Sequence, residues 1–331
     1  MEFFEAKREA LRCLACKHYC VIPKGGYGLC GARKNTGKEI VSIAHAKPSG
    51  IHLDPIEKKP LYHYFPGTTT LSMGFFGCNF SCAFCQNYEI SCARGAGLEK
   101  LAERLETVSP EMFAEKAAGA GAKSVALTYN EPAINIEYAL ESFGAAKAKG
   151  LGTVFVSNGY SSKEAMKEMK GKLDAINIDL KAFTEKFYRE LCGAKLENVL
   201  ETIKAFHRAG TWLELTTLVI PKKNDSKEEL SELTRFIASV SKDIPWHIIA
   251  FFPIHKMSNH PAAQAEHVER AVEAGKEAGL KHIYSRLPGG ENTYCPKCGK
   301  PVIERSFYGS AKVMLENGKC GCGKEIKGMF E

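Results

Sequence analysis

Seven short apolar runs, each trailed by a polar turn and an amphipathic stretch, constrain this chain more than any other feature. They span residues 70–74, 124–128, 153–157, 175–180, 213–220, 247–252 and 282–285. Runs of this length between turn signals read as buried strands, and the stretches between them as helices. Several helix starts are marked. Ser109-Pro110 offers a cap followed by proline at the first helical position. Ser161-x-x-Glu164, Asn198-x-x-Glu201 and Ser226-x-x-Glu229 read as capping boxes, and Gly193, Gly210 and Gly279 fall where helices should stop. Strand starts mostly lie roughly 20–40 residues apart, the spacing of βα units. Six or seven such units predict an α/β fold, a partial or full (β/α) barrel. A doubly wound open sheet competes, but no Gly-x-Gly-x-x-Gly follows the first run. Barrels carry their chemistry at the C-terminal ends of the strands. That singles out residues 78–85, 129–132, 157–159, 179–181 and 253–255.

The rhythm fills only the middle of the chain, and cysteines mark its borders. Eleven of the thirteen cysteines fall into three tight groups. Cys13, Cys16, Cys20 and Cys30 precede the rhythm, Cys78, Cys82 and Cys85 open it, and Cys295, Cys298, Cys320 and Cys322 follow it. The expected organisation is an N-terminal cysteine-rich module (1–66), a barrel (67–288) and a zinc-ribbon-like C-terminal module (289–331). A chain of 331 residues can hold one barrel and such appendages. The N-terminus lacks the apolar core of a signal peptide, and no run of eighteen apolar residues exists. A cytoplasmic protein without a membrane partner is expected, and cysteines clustered in a reducing compartment point to metal rather than disulfides. The net charge of +7 is spread without a dense basic run and reads as a solvated surface. Nucleic-acid binding is allowed by it but not indicated.

Cys78-x3-Cys82-x2-Cys85 is the most specific of the three groups. Three close thiolates can hold three irons of a [4Fe–4S] cubane and leave the fourth iron without a protein ligand. An open metal position binds substrate, and the amino and carboxylate groups of S-adenosylmethionine (SAM) suit it. An electron passed to the sulfonium would then break a C–S bond and yield a 5′-deoxyadenosyl radical. A zinc site is the competing reading, but it would want a fourth ligand nearby, and only Cys92 offers one.

These residues carry a family resemblance. GCNFSCAFCQN, VSNGY, DAINIDLKAF, LCGAKLENVLETI, VIPKKND and FFPIHK resemble, in that order, the glycyl-radical-enzyme activases of the radical SAM superfamily. Pyruvate formate-lyase activating enzyme typifies that branch. Nearly the full length resembles more closely still the radical SAM enzymes of the AmmeMemoRadiSam system. That likeness rests on CLACKHYCVIPKGGYGLCGARKN, CQNYEIS, TYNEPAI and the cysteine-rich tail. The resemblance implies an enzyme that cleaves SAM reductively and takes hydrogen from a protein or small-molecule substrate. It also implies an external one-electron donor and a SAM pocket. Tyr129-Asn130-Glu131-Pro132 stands where the family usually has Gly-Gly-Glu-Pro, so Asn130 replaces a glycine and Glu131 would receive the SAM amino group. Ser157 and Asn158 would donate to ribose or carboxylate oxygens. Asp179 and Lys181 share one side of a strand, and Lys181 would meet the SAM carboxylate if that side faces inward. His255 would contact the nucleoside. For Ser157 and Asn158 plain turn chemistry competes, and for Asp179–Lys181 a structural ion pair.

The flanking groups read as closed metal sites. Cys13, Cys16, Cys20 and Cys30 place four ligands within eighteen residues, enough for zinc or a second iron–sulfur cluster. Cys295-x2-Cys298 and Cys320-x-Cys322 bracket a zinc-ribbon pattern whose apolar content is too small to fold without metal. Cys92 and Cys192 belong to no group, and packing is the simplest reading of Cys192. Two other functions compete: a radical SAM enzyme that modifies RNA, gripping it with the two metal modules, and a non-catalytic iron–sulfur assembly or electron-transfer protein. Glu131, Asp179 and Lys181 at successive strand ends argue against the latter, which needs no SAM pocket.

Overall fold

The computed structural model describes residues 2–285, 287, 290–306 and 310–330. Its main sheet has eight strands whose spatial order is their chain order. They are β1 (Gly50–Pro55), β2 (Thr69–Gly74), β3 (Ser124–Leu127), β4 (Gly152–Ser157), β5 (Ala175–Asp179), β6 (Trp212–Val219), β7 (Trp246–Ala250) and β8 (Ile283–Ser285). All seven expected runs are strands, with ends shifted by no more than a residue or two. The extra strand, β1, lies in the segment assigned from sequence to the N-terminal module and pairs antiparallel with β2. Its residues GIHLDP alternate only over Ile51 and Leu53 and end in proline, too short a signal to mark a strand, and in the fold apolar Leu53 is exposed while Asp54 is buried.

From β2 onward every pairing is parallel. The crossovers run through helices α1 (Pro110–Gly119), α2 (Ile136–Ala148), α3 (Lys163–Met169), α4 (Leu196–Ala209), α5 (Lys227–Val240) and α6 (Ala265–Glu277). Parallel crossovers share one hand, so a sheet that grows in one direction collects all its helices on one face and curls around the other. β1 and β8 remain the two ends of the ladder, and the structure is a partial (β/α) barrel.

The caps show where local sequence sufficed. Ser109 accepts the Met112 amide ahead of Pro110, and Ser226 accepts the Glu229 amide. The Glu229 carboxylate does not return to close a capping box; it accepts the Phe183 amide at 2.7 Å. Two expected starts move. Ser162, not Ser161, caps α3, because Ser161 lies on a bridge to Cys16. Asn198 lies inside α4, which begins at Leu196, and its amide donates to the Tyr160 hydroxyl at 2.7 Å.

Two appendages close the barrel at opposite ends. The N-terminal module is a three-stranded antiparallel sheet (Phe4–Lys7, Ala10–Cys13, Val21–Pro23) followed by the hairpin Arg33–Asn35 and Ile40–Ser42. Arg33, 1% exposed, forks onto the Glu137 carboxylate of α2 at 2.8 and 2.7 Å and fastens the module to the barrel. The C-terminal module pairs Thr293–Tyr294, Pro301–Arg305 and Ala311–Val313, and it sits under the N-terminal ends of the strands. There Glu214 of β6, wholly buried, accepts four N–H groups. These are the Tyr62 and His63 amides, the Trp212 indole and His247 Nε2, at 2.7–2.9 Å. Arg305 donates to Thr293 Oγ1 and to the Tyr62 carbonyl, and its guanidinium lies 4.2 Å over the Tyr62 ring. His63 Nδ1 donates to the Lys327 carbonyl at 2.7 Å, so its Nε2 accepts from the Tyr284 hydroxyl at 2.5 Å. That arrangement needs a neutral ring, and burial pulls the His63 pKa down to about 4.

Candidate active site

The upper ends of the strands open on a cavity of about 310 Å³. Cys78, Cys82 and Cys85 line it, on the loop between β2 and the short helix Tyr88–Ser91. Asn130, Glu131, Ser157, Asn158, Asp179 and Lys181 line it too. Positions scattered over about a hundred residues of sequence therefore converge on one space. His255 is not among the lining residues; its ring stacks on Tyr88 with centroids 4.7 Å apart.

Backbone geometry at the end of β3 explains the departure from glycine there. Tyr129 adopts a left-handed φ of 69°, which glycine takes freely and most side chains resist. The position is held because Tyr129 is anchored at both ends. Its hydroxyl donates to Asp54 at 2.7 Å, and its carbonyl accepts Asn87 Nδ2 at 2.7 Å. Lys59 lies 4.5 Å over the ring. The side chain of Asn130 turns to the cysteine loop: Oδ1 accepts the Phe75 amide at 3.1 Å and Nδ2 donates to the Gly77 carbonyl at 2.8 Å. Asn130 thus braces the backbone just ahead of Cys78.

Glu131 is 1% exposed and joins two strand ends. It accepts the Ala133 amide at 3.0 Å, the Asn158 amide at 2.8 Å and the Ser157 hydroxyl at 2.9 Å. Burial pushes its pKa up to about 7, against the pull of those donors. Ser157 and the Asn158 backbone are therefore engaged with Glu131. The Asn158 side chain donates to Asn79 Oδ1 at 2.7 Å and reaches to 4.0 Å from the Cys78 sulfur.

On the opposite wall Lys181 Nζ sits 2.9 Å from Asp179. Burial works against the Lys181 charge, but Asp179, Cys82 and Cys192 outweigh it and hold its pKa well above the ordinary value. Cys192 belongs to none of the three groups and reads from sequence as a packed residue. It is buried, and it lies against Cys82: its thiol together with Lys181 lowers the Cys82 pKa despite burial. Burial raises Cys78 and Cys85. Sequence spacing carried no hint of the Cys82–Cys192 contact, since the two are joined only through the Ser81 and Ala83 amides bonding to Cys192 and Leu191 carbonyls at 2.9 Å.

At the floor, Cys295, Cys298, Cys320 and Cys322 bring their sulfurs within 4.8 Å of one another, with Cys295–Cys322 at 3.6 Å and Cys298–Cys320 at 3.7 Å. Those lengths match the edge of a thiolate tetrahedron around one metal, about 3.8 Å for zinc–sulfur bonds near 2.3 Å.

Comparison with known proteins fixes the family. The description "Radical SAM superfamily" fits residues 74–237, and an uncharacterized protein of Methanocaldococcus jannaschii is 35% identical over 96% of this chain and 95% of its own length. The chain belongs to the radical SAM superfamily. It is therefore a radical SAM enzyme, with SAM and an iron–sulfur cluster as its cofactors. The pyruvate formate-lyase-activating enzyme of Clostridium pasteurianum is 20% identical over 58% of this chain and 81% of its own, in keeping with the activase branch. In fold, the chain is similar to Streptococcus suis SuiB bound to S-adenosylmethionine, with a TM-score of 0.51 and 13% identity over 77% of this chain and 58% of that one. No helix among the described residues is long and apolar enough to cross a membrane.

Proposed function

We propose that this radical SAM enzyme takes a hydrogen atom from carbon in a protein or small-molecule substrate bound across the same cavity. The observation that carries the reading is the convergence of three thiols, the Glu131 carboxylate and the Asp179–Lys181 pair on one space. The donor set suits a cubane with one open iron: three cysteines line the cavity and no fourth does. When bound, the cluster would supply the electron that breaks a C–S bond of SAM and releases the 5′-deoxyadenosyl radical.

The chain's own residues do the holding. Glu131, fixed by three donors, receives the SAM ammonium, and the approach of that cation favours its ionised form. Lys181 provides the fixed positive charge for the SAM carboxylate, with Asp179 limiting its swing. Phe84 walls the cavity beside the cysteines. Thr216, Leu218 and Ile249 on the far wall leave a mixed polar and apolar surface for the substrate. The C-terminal quartet holds zinc. A one-electron donor docks from outside, as for the activase relatives.

The test is anaerobic reconstitution with iron and sulfide, then SAM and dithionite, with 5′-deoxyadenosine read by chromatography. Wild type gives the nucleoside and Cys82→Ala gives none. A wild-type protein that takes up a full cluster yet neither binds SAM nor forms the nucleoside overturns the reading.

A further inference from the structure

The N-terminal quartet differs from the C-terminal one in a way that decides its occupant. Cys13, Cys16 and Cys30 are 5, 7 and 6% exposed and Cys20 is half-buried, so four thiols share an interior site. The backbone draws the group together: the Cys13 amide donates to the Cys20 carbonyl at 2.9 Å, and the Cys30 sulfur lies 3.7 Å from where a Cβ at Gly28 would stand. Yet among the described residues only the C-terminal quartet closes to within 4.8 Å. No three sulfurs of the N-terminal quartet meet that limit, and neither do those of Cys78, Cys82 and Cys85, whereas sulfurs around one zinc lie about 3.8 Å apart.

A second observation points to a ligand there. Asn79, 5% exposed, spends its Oδ1 on Asn158, but its Nδ2 has no hydrogen-bond partner. A buried N–H group without a partner is costly. Cluster sulfides and thiolates accept N–H groups, and such bonds tune their potential.

We propose that Cys13, Cys16, Cys20 and Cys30 hold a second iron–sulfur cluster, a fully ligated cubane, with Asn79 bonded to its sulfur. This goes beyond the SAM chemistry above and does not depend on it. The two sites are adjacent. Asn79 follows Cys78 directly, its carbonyl accepts His18 Nε2 at 2.9 Å, and a Cβ at Gly77 would lie 2.7 Å from the Cys30 carbonyl. With four protein ligands the second cluster has no open iron for SAM. It exchanges single electrons with its neighbour, taken from a low-potential reduced carrier protein of the flavin or iron–sulfur class, and no bond forms or breaks.

Counting metals tests this. Protein purified anaerobically from iron-replete cells is assayed for iron, sulfide and zinc, with low-temperature paramagnetic resonance after dithionite. Wild type is expected to hold about eight irons, and Cys78→Ala/Cys82→Ala/Cys85→Ala about four, as one cubane gives. The signal of that triple variant does not change with SAM. Cys16→Ser/Cys30→Ser retains about four irons whose signal does change with SAM. A triple variant with no iron and a second zinc beside the ribbon zinc overturns the proposal, whether or not the paired variant folds. In the triple-variant background, Asn79→Leu is expected to shift the midpoint potential negative by removing one N–H donor; an unchanged potential overturns the Asn79 contact. A triple variant that keeps four irons while wild type ignores SAM would leave the second cluster standing and sink the SAM reading instead.

Discussion

The two ends of the barrel are built from the same kinds of residue and put them to opposite use. At the floor, Glu214, His63, Tyr284, Thr293 and Arg305 bond to one another, with only Arg305 Nε left 3.6 Å from the Glu57 carboxylate without a hydrogen bond, and the C-terminal module lies across them. At the mouth, polar groups are held in place with capacity to spare. Glu131 is fixed by three donors yet sits at a pKa of about 7, Lys181 among the described residues has only Asp179 within salt-bridge distance, and Asn79 keeps a free N–H. A buried polar network that is mutually satisfied stabilises and rigidifies; one that is left short is ready for a ligand.

Substitutions at the two ends should therefore separate chemistry from stability. The largest effect is expected from Cys82→Ala, which should abolish 5′-deoxyadenosine formation while the melting temperature of the cluster-free protein stays within a few degrees of wild-type apoprotein. Glu214→Leu should do the reverse. It strands four donors at the floor and should cost about 3–5 kcal/mol in chemical denaturation, while SAM cleavage per cluster at low temperature stays near wild type. If Glu214→Leu instead abolishes cleavage at unchanged stability, the division between the ends is wrong.

Acid should weaken the floor next. The folded His63 pKa of about 4 lies below its unfolded value, so between about pH 6.5 and 4 the unfolded chain takes up a proton that the folded one refuses. Stability is full above that window and falls through it, by about 3 kcal/mol at the lower end. Urea titrations across this range should show a steeper loss for wild type than for His63→Asn.

The mouth should respond to pH through ligand binding. Glu131 must be ionised to receive the SAM ammonium, so SAM affinity of the reconstituted enzyme should rise about tenfold from pH 6 to pH 8. Glu131→Gln should flatten that dependence; a wild-type affinity indifferent to pH would remove Glu131 from the ammonium site. The smallest effect is expected from Asn130→Ala, which loosens two bonds to the cysteine loop. It should lower cluster retention on dilution by a few-fold, in line with about 1 kcal/mol, with iron content as the readout.

The mouth was far more legible in the sequence than the floor. Cys78, Cys82 and Cys85 form a contiguous motif, and Glu131, Asp179 and Lys181 directly follow apolar runs, so strand ends and family likeness both point to them. The floor network gave no such signal. Glu214 lies within an apolar run, and its partners Tyr62, His63 and His247 share no spacing with it. Their meeting is a product of barrel closure. Edge strand β1 was missed for a related reason: its pairing with β2 is long-range, and its alternation at Ile51 and Leu53 is too short to stand out. For Asn130, Ser157 and Asn158 the sequence shows that the groups are polar but not which of them are already engaged with each other.

The C-terminal module has a consequence for how the protein is made. The Met329 amide donates to the His63 carbonyl and the Met329 carbonyl accepts the Phe65 amide, each at 2.7 Å. The residues around Met329 thus seal the base of a barrel whose cysteine loop was synthesised some 250 residues earlier. A nascent chain arrested before residue 327 would carry the cysteine loop above an uncovered floor. Quality control that recognises exposed interior surface would act on that chain until those residues emerge and pair with His63 and Phe65.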